Sequence, residues 1–192
     1  MKLFFDTETT GMVMWKSPHN HPSQPQPIQL ACVLRADCGT TVASLQTVIK
    51  THGKEIHPKA EATHGISKEM ADSCGVSRTS AVDMFLDMLD VADSVVAHNA
   101  AFDVKIMRAA AFSVGIEGDI FAETNIVCTK DLSTPVLCIP NKHVKGTFKW
   151  PSLEECMQYF YQESIEGAHD AMVDVEALIR VYDALDKVGA AE

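Results

Sequence analysis

Residues 1–11 read MKLFFDTETTG, an apolar run followed at once by two carboxylates, Asp6 and Glu8, with one residue between them. Residues 2–8 carry the composition of a strand, and strand side chains alternate between faces. Phe4, Asp6 and Glu8 therefore share one face, and Leu3, Phe5 and Thr7 share the other. Two acids on one face of a strand entering a core are costly unless a cation or hydrogen bonds compensate them. The D-x-E spacing alone carries little weight, because Asp174 and Glu176 repeat it. Its meaning depends on what the rest of the chain brings to the same place.

Beyond Gly11, residues 12–27 (MVMWKSPHNHPSQPQP) hold four prolines and little periodicity, which predicts an exposed loop. Residues 28–36 and 40–49 read as two further strands joined by a turn at Asp37, Cys38 and Gly39, so the first three strands form a meander. A loop containing THGIS leads to a short helix near Lys68 to Ala71. A longer one covers 79–92, where Val82, Phe85, Leu86 and Leu89 follow helical spacing. SVVAH (94–98) is a short apolar strand. Asn99 is placed to cap a helix over 100–114, Ser152 caps one over 153–161, and a last helix runs over 169–187. A meander followed by strands alternating with helices predicts an α/β fold with a mixed sheet and helices on its faces.

The chain has 192 residues, 46% of them hydrophobic, enough for one domain over 1–192 with a substantial core. No apolar stretch approaches the roughly 18–20 residues that span a bilayer, and the N-terminus is unlike a signal peptide, so a cytoplasmic protein with no membrane partner is expected. The six cysteines are far apart, with no CxxC pair, and are expected as buried free thiols rather than as a zinc site or disulfide framework. A formal net charge of −10 argues against broad coating of duplex nucleic acid. Contact with a polyanion must be local or must recruit metal cations. Between Leu132 and Leu153 there is no acid, while Lys142, His143, Lys145 and Lys149 all fall there. That segment is either a solvated loop or a phosphate contact beside the acidic residues.

Two helices add carboxylates where apolar residues belong. Ile106, Met107, Ala110 and Val114 form the apolar face of the helix after Asn99, and counting back by three and four lands on Asp103. In the last helix Ala171, Leu178, Val181, Leu185 and Val188 form a stripe in which Asp174 fills the remaining position. A charge near a helix start is favourable by itself. Acids from three segments with few basic residues nearby point instead to a shared site for a hard divalent cation, Mg²⁺ or Mn²⁺. Two such ions about 3.5–4 Å apart suit an in-line phosphoryl displacement. His169, in GAHDAMVD five residues before Asp174, is placed to accept a proton from water. His64 is a candidate substrate contact, and His98 a packing residue at a strand end.

The strings FDTETTG, HNAAFD and HDAMVD, in this order, resemble the three motifs of the DnaQ-like 3′→5′ exonucleases with a DEDDh active site. That family includes the proofreading subunit of bacterial replicative polymerase. The resemblance runs from Lys2 to about Asp186. It implies a ribonuclease H-like α/β sheet with helices on both faces. It also implies two Mg²⁺ (or Mn²⁺) bound by Asp6, Glu8 and Asp174, with Asp103 supporting the second through water, and His169 as general base. By the same resemblance, groups around Thr7, Thr9 and Thr10 receive the terminal nucleotide, Asn99 helps to hold the strand, and THGIS is a substrate-side segment, which supports His64 as a contact.

Two departures stand out. Where the family usually has TGL this chain has TGM and then the Pro-rich segment, which makes Met12 a softer wedge against the terminal base and Trp15 either a stacking surface or a loop anchor. The chain also ends at Glu192 without a polymerase-binding extension, so a stand-alone or weakly tethered enzyme is expected, with a polymerase as the candidate protein partner. The expected activity is metal-dependent 3′→5′ hydrolysis of single-stranded or frayed 3′ ends, DNA before RNA, to nucleoside 5′-monophosphates. The alternatives are an RNA-trimming or oligoribonucleotide exonuclease, and a non-catalytic module that binds nucleic-acid ends.

Overall fold

β1 (Lys2–Thr9) pairs antiparallel with β2 (Pro27–Arg35), and β2 pairs antiparallel with β3 (Thr41–Val48), which is the expected meander. On the other side of β1, β4 (Ser94–Ala97) and β5 (Asn125–Cys128) add in parallel, giving a five-stranded mixed sheet of order β3-β2-β1-β4-β5. This computed structural model describes residues 1–189. Residues 190–192, the end of the domain expected over 1–192, lie outside the described residues.

Alternation along β1 builds two cores. Leu3 and Phe5 pack with Leu30, Cys32, Phe85, Val104 and Met107, under α3 (Arg78–Asp90) and α4 (Ala100–Ser113). Phe4 packs on the opposite face with Ala31, Val33, Val175, Leu178 and Tyr182, under α7 (Ala171–Lys187). The Phe5 and Phe85 rings lie 5.3 Å apart, and Phe4 meets the edge of Tyr182 at 5.4 Å. Leu3, Phe4 and Phe5 are each at most 1% exposed, and burying a side chain of that size contributes about 1.5–3 kcal/mol. α5 (Thr129–Leu137) and α6 (Leu153–Tyr161) pack against α7. Among the described residues no helix is long and apolar enough to cross a membrane.

Several local expectations are corrected. The last quarter of the Pro-rich segment is not exposed: residues 24–27 are buried, and Gln24, 1% exposed, closes the segment on itself. Its Nε2 donates to the carbonyls of Met14, Ser17 and Pro18, and its Oε1 accepts from Met14 N at 3.1 Å. Asn99 precedes α4 but makes no side-chain cap, because its backbone is left-handed at φ 70° and the side chain turns away to accept from Lys130 Nζ at 2.8 Å. α7 begins at Ala171 rather than at 169, since the Asp170 side chain accepts from Met172 N and Val173 N and sets the first turn there. Ser152 does cap α6, in a reciprocal box with Glu155. The cysteines are unbonded, but Cys38, Cys74 and Cys138 are exposed. α1 (Pro58–His64), β5 and α5 were not expected, and α2 (Lys68–Cys74) runs three residues further than expected. Thr63 and His64 of THGIS thus end a helix, with Gly65 at φ 72° closing it.

Candidate active site

The carboxyl ends of the parallel strands β1 and β4 are where the acids meet, the usual place for ligands in an open α/β sheet. Asp6 and Glu8 come from β1, whose regular pairing with β2 shifts between Glu8 and Thr9. Asp103 enters from the first turn of α4, one sheet face away. It is drawn to the strand by Thr7, whose backbone N and Oγ1 donate to Asp103 Oδ1 at 3.1 and 2.7 Å. The inward-facing Thr7 therefore holds the third acid beside the two that flank it. Asp174, in the first turn of α7, comes from the other face and accepts from the backbone N of His169 at 3.2 Å. That contact fixes the exposed His169, which stands outside the helix at φ 71°.

Burial pushes all four acids up. Asp6 is held well above the usual carboxylate range by burial, then by repulsion from Asp103, Asp174 and Glu8. Glu8 rises to about 8, through burial and then Asp174 and Asp103. Asp103, 2% exposed, rises to about 7 through burial, against the pull of the Thr7 donors. Asp174 is raised by burial, with the His169 amide and ring opposing. Among the described residues no lysine or arginine forms an ion pair with any of them. Ligand atoms of Glu8, His169 and Asp174 all lie within 4.8 Å of one another. Hard oxygen donors in excess, uncompensated and convergent, fit a divalent cation.

Thr7, Thr9, Glu8, Met12, His64 and Phe102 line a cavity of about 480 Å³ beside the acids. His64 Nδ1 accepts from Ile66 N at 3.0 Å, and burial lowers the pKa of the ring. The neutral ring therefore carries its proton on Nε2, which is buried, makes no full hydrogen bond among the described residues and lies against the Thr9 backbone. Thr10 lies apart from this cavity: its hydroxyl accepts from Gln26 N and its carbonyl from His57 N, so it holds the loop. Asn99 and Lys149 line a second cleft of about 750 Å³ on the far side of Met12 and Phe102. Lys142 and Lys145 stand exposed on the 141–146 turn and line neither cavity.

Sequence reasoning missed Asp170, Gln29 and Lys130. Gln29 Nε2 donates to Asp170 Oδ2 at 3.0 Å and Gln29 Oε1 accepts from Ala171 N at 3.1 Å, so a nearly buried amide on β2 anchors the start of α7. An Asp directly before an apolar helical stripe is a cap signal and would have found Asp170. Nothing local marks Gln29 or Lys130.

The exonuclease family RNase_T matches residues 3–182 of the chain. The chain belongs to the RNase_T exonuclease family. The match takes in the strand with Asp6 and Glu8, the turn with Asp103 and the helix with Asp174. It is 27% identical over 197 residues to the uncharacterized exonuclease CP81 of Escherichia phage 186, a match covering 99% of this chain and 90% of the phage protein. Its fold is that of E. coli Exonuclease I, a ribonuclease H-like sheet. With the complex holding a dT13 oligonucleotide the TM-score is 0.77 at 20% identity, over 97% of this chain. With the dA16 complex it is 0.77 at 19% identity, over 99%. A zinc-bound Exonuclease I–ssDNA complex aligns at TM-score 0.73, 19% identity and 97% coverage. The RNase_T exonuclease described here spans only 40–42% of the length of these structures.

Proposed function

We propose that this exonuclease is metal-dependent and works 3′→5′, releasing nucleoside 5′-monophosphates from single-stranded or frayed 3′ ends, with DNA preferred to RNA. The observation that carries the reading is the meeting of Glu8, His169 and Asp174 ligand atoms within 4.8 Å, beside Asp6 and the buried Asp103 that repel the same carboxylates, with no lysine or arginine paired to any of the four acids among the described residues. Asp6, Glu8 and Asp174 would hold two Mg²⁺ or Mn²⁺, with Asp103 supporting one through water. When bound, such a pair supplies charge neutralisation and Lewis acidity at the scissile phosphodiester.

The chain's own residues do the rest. His169, exposed at the mouth of the cluster and fixed by its backbone N–H donating to Asp174 Oδ2, takes the proton of the attacking water. The cavity lined by Thr7, Thr9, Met12, His64 and Phe102 receives the terminal nucleoside, and His64 Nε2–H donates to one of its oxygens. Oligonucleotides bound to the structural relatives support single-stranded DNA as the substrate. Free, scattered cysteines suit a cytoplasmic setting, and a polymerase partner rests on the motif resemblance alone.

The test is a product ladder from 5′-labelled single-stranded DNA, duplex DNA and RNA of one sequence, each with Mg²⁺ and with EDTA. Stepwise loss from the 3′ end of the DNA single strand, abolished by EDTA, is expected. Metal-independent cleavage, or shortening from the 5′ end, would refute the reading.

A further inference from the structure

The chain has two tryptophans, Trp15 and Trp150, and both line the cleft of about 750 Å³ that adjoins the terminal-nucleoside cavity. Met12 and Phe102 belong to both cavities and form the divide between them. The indoles are 55% and 68% exposed, yet their supports are firmly held. Lys105 on α4 donates to the carbonyls of Met14, Trp15 and Ser17 at 3.0, 3.3 and 2.8 Å, and its ammonium lies 5.5 Å from the Trp15 ring centre. Gln24 closes the same turn from beneath. On the opposite wall, His98 Nε2 donates to the Pro151 carbonyl at 3.1 Å, next to Trp150. Lys130, tied to Asn99, places its ammonium 4.2 Å from the Trp150 ring centre.

Exposed aromatic surface on fixed supports, beside Lys130 in a chain of net charge −10, is what a single strand needs, planes for bases and a local cation for a phosphate, while Lys149 in the same lining is paired with Glu155. Continuity across Met12 and Phe102 argues for the occupant, because a strand whose terminal nucleoside fills the first cavity finds the second open beside it for its 5′-ward part. We propose that the Trp15–Trp150 cleft is a nucleoside subsite for the single strand immediately 5′ of the terminal nucleotide, binding by base stacking with Lys130 serving the phosphate. The assignment rests on the exonuclease reading of the adjoining site.

Since this cleft holds both tryptophans, intrinsic fluorescence of the full chain reports it directly. With Ca²⁺ in place of Mg²⁺, a dT octamer should quench the emission saturably. The same octamer with abasic residues at the positions 5′ of the terminal nucleotide should bind at least about 5-fold more weakly, as loss of one stacked base predicts. Equal binding of the abasic strand, or no quenching by the intact one, overturns the subsite.

In turnover with Mg²⁺, the wild type, Trp15→Ala, Trp150→Ala and the conservative Trp150→Phe are compared on the octamer and on the p-nitrophenyl ester of thymidine 5′-monophosphate, which has no 5′-ward nucleoside. The ratio of kcat/KM for octamer over ester should fall about 5- to 100-fold in each alanine variant and recover in Trp150→Phe. An unchanged ratio overturns the subsite even if both rates drop, because a merely structural role lowers them together. If the wild type quenches normally but hydrolyses neither substrate, the activity reading fails while the strand-binding cleft survives.

Discussion

Asp103 and Asp119 are both held at α4, and burial and pairing drive them in opposite directions. Asp119 receives Arg108 Nε and Nη2 at 2.7 Å each, and this fork holds its carboxyl below the usual range. Asp103, 2% exposed, has only the Thr7 amide and hydroxyl, and burial takes it up to about 7. An acid kept for stability comes with its own cation. One kept without a cation, among three others in the same state, stabilises the fold only when an ion or a proton arrives. The two aspartates thus separate cation-paired from uncompensated charge within one helix neighbourhood.

The largest effects should come from the uncompensated side. Asp6→Ala and Asp174→Ala are each expected to reduce Mg²⁺-dependent release from a labelled single strand by more than about 10⁴-fold, to the level left by EDTA, while Asp119→Asn stays within about twofold of wild type. Comparable losses in all three would erase the distinction. His169→Ala should slow hydrolysis by about 10²–10⁴-fold with Mn²⁺ affinity, measured by calorimetry, largely kept; loss of the ion instead would make the imidazole a ligand rather than the base.

Stability should respond to pH with opposite sign at the two residues. A carboxyl whose folded pKa is raised costs nothing below its unfolded pKa, near 4, and its penalty grows as pH rises through the folded value. With Glu8 at about 8 and Asp103 at about 7, the metal-free protein should melt roughly 5 °C lower at pH 8 than at pH 5.5. Millimolar Mg²⁺ should reverse most of that loss, and Asp103→Asn, which keeps an acceptor for Thr7, should raise the metal-free Tm at pH 8. A flat Tm across this window would show that the acids are compensated from within. Asp119 behaves the other way: its depressed pKa contributes stability above about pH 4 that is lost as pH falls through the folded value. The pair is 29% and 40% exposed, so Asp119→Asn should cost only about 0.5–1 kcal/mol, a Tm drop of about 2–3 °C at pH 8.

How far these features could be read in advance follows from their range along the chain. β1, α4 and α7 are long and periodic, so an acid at a core position is visible as a break in the pattern, and Asp6, Asp103 and Asp174 stand out. β5 has four residues, two of them exposed, and offers no alternation to detect. α5 contains Pro135, which reads as a breaker because it removes the N–H that would bond the Asp131 carbonyl, and the helix runs only two residues beyond it. α1 buries none of its residues, so only Pro58 at its start marks it. Asn99 reads as a cap by residue type, but the cap needs an extended backbone and this one is left-handed. Lys105 and Gln24 act on the Pro-rich turn through contacts spanning 6 to 91 residues along the chain. No local pattern encodes such pairings.

α4 also works as a ruler. Its first turn carries Asp103, and two residues further on Lys105 grips the turn that bears Trp15. On the proposed function and subsite, an acid at the point of cutting and the lysine behind the stacking indole would share one helix, about 3 Å apart along its axis. Their spacing would then follow helical geometry rather than the closure of a loop, and a residue inserted in α4 between Asp103 and Lys105 would alter it.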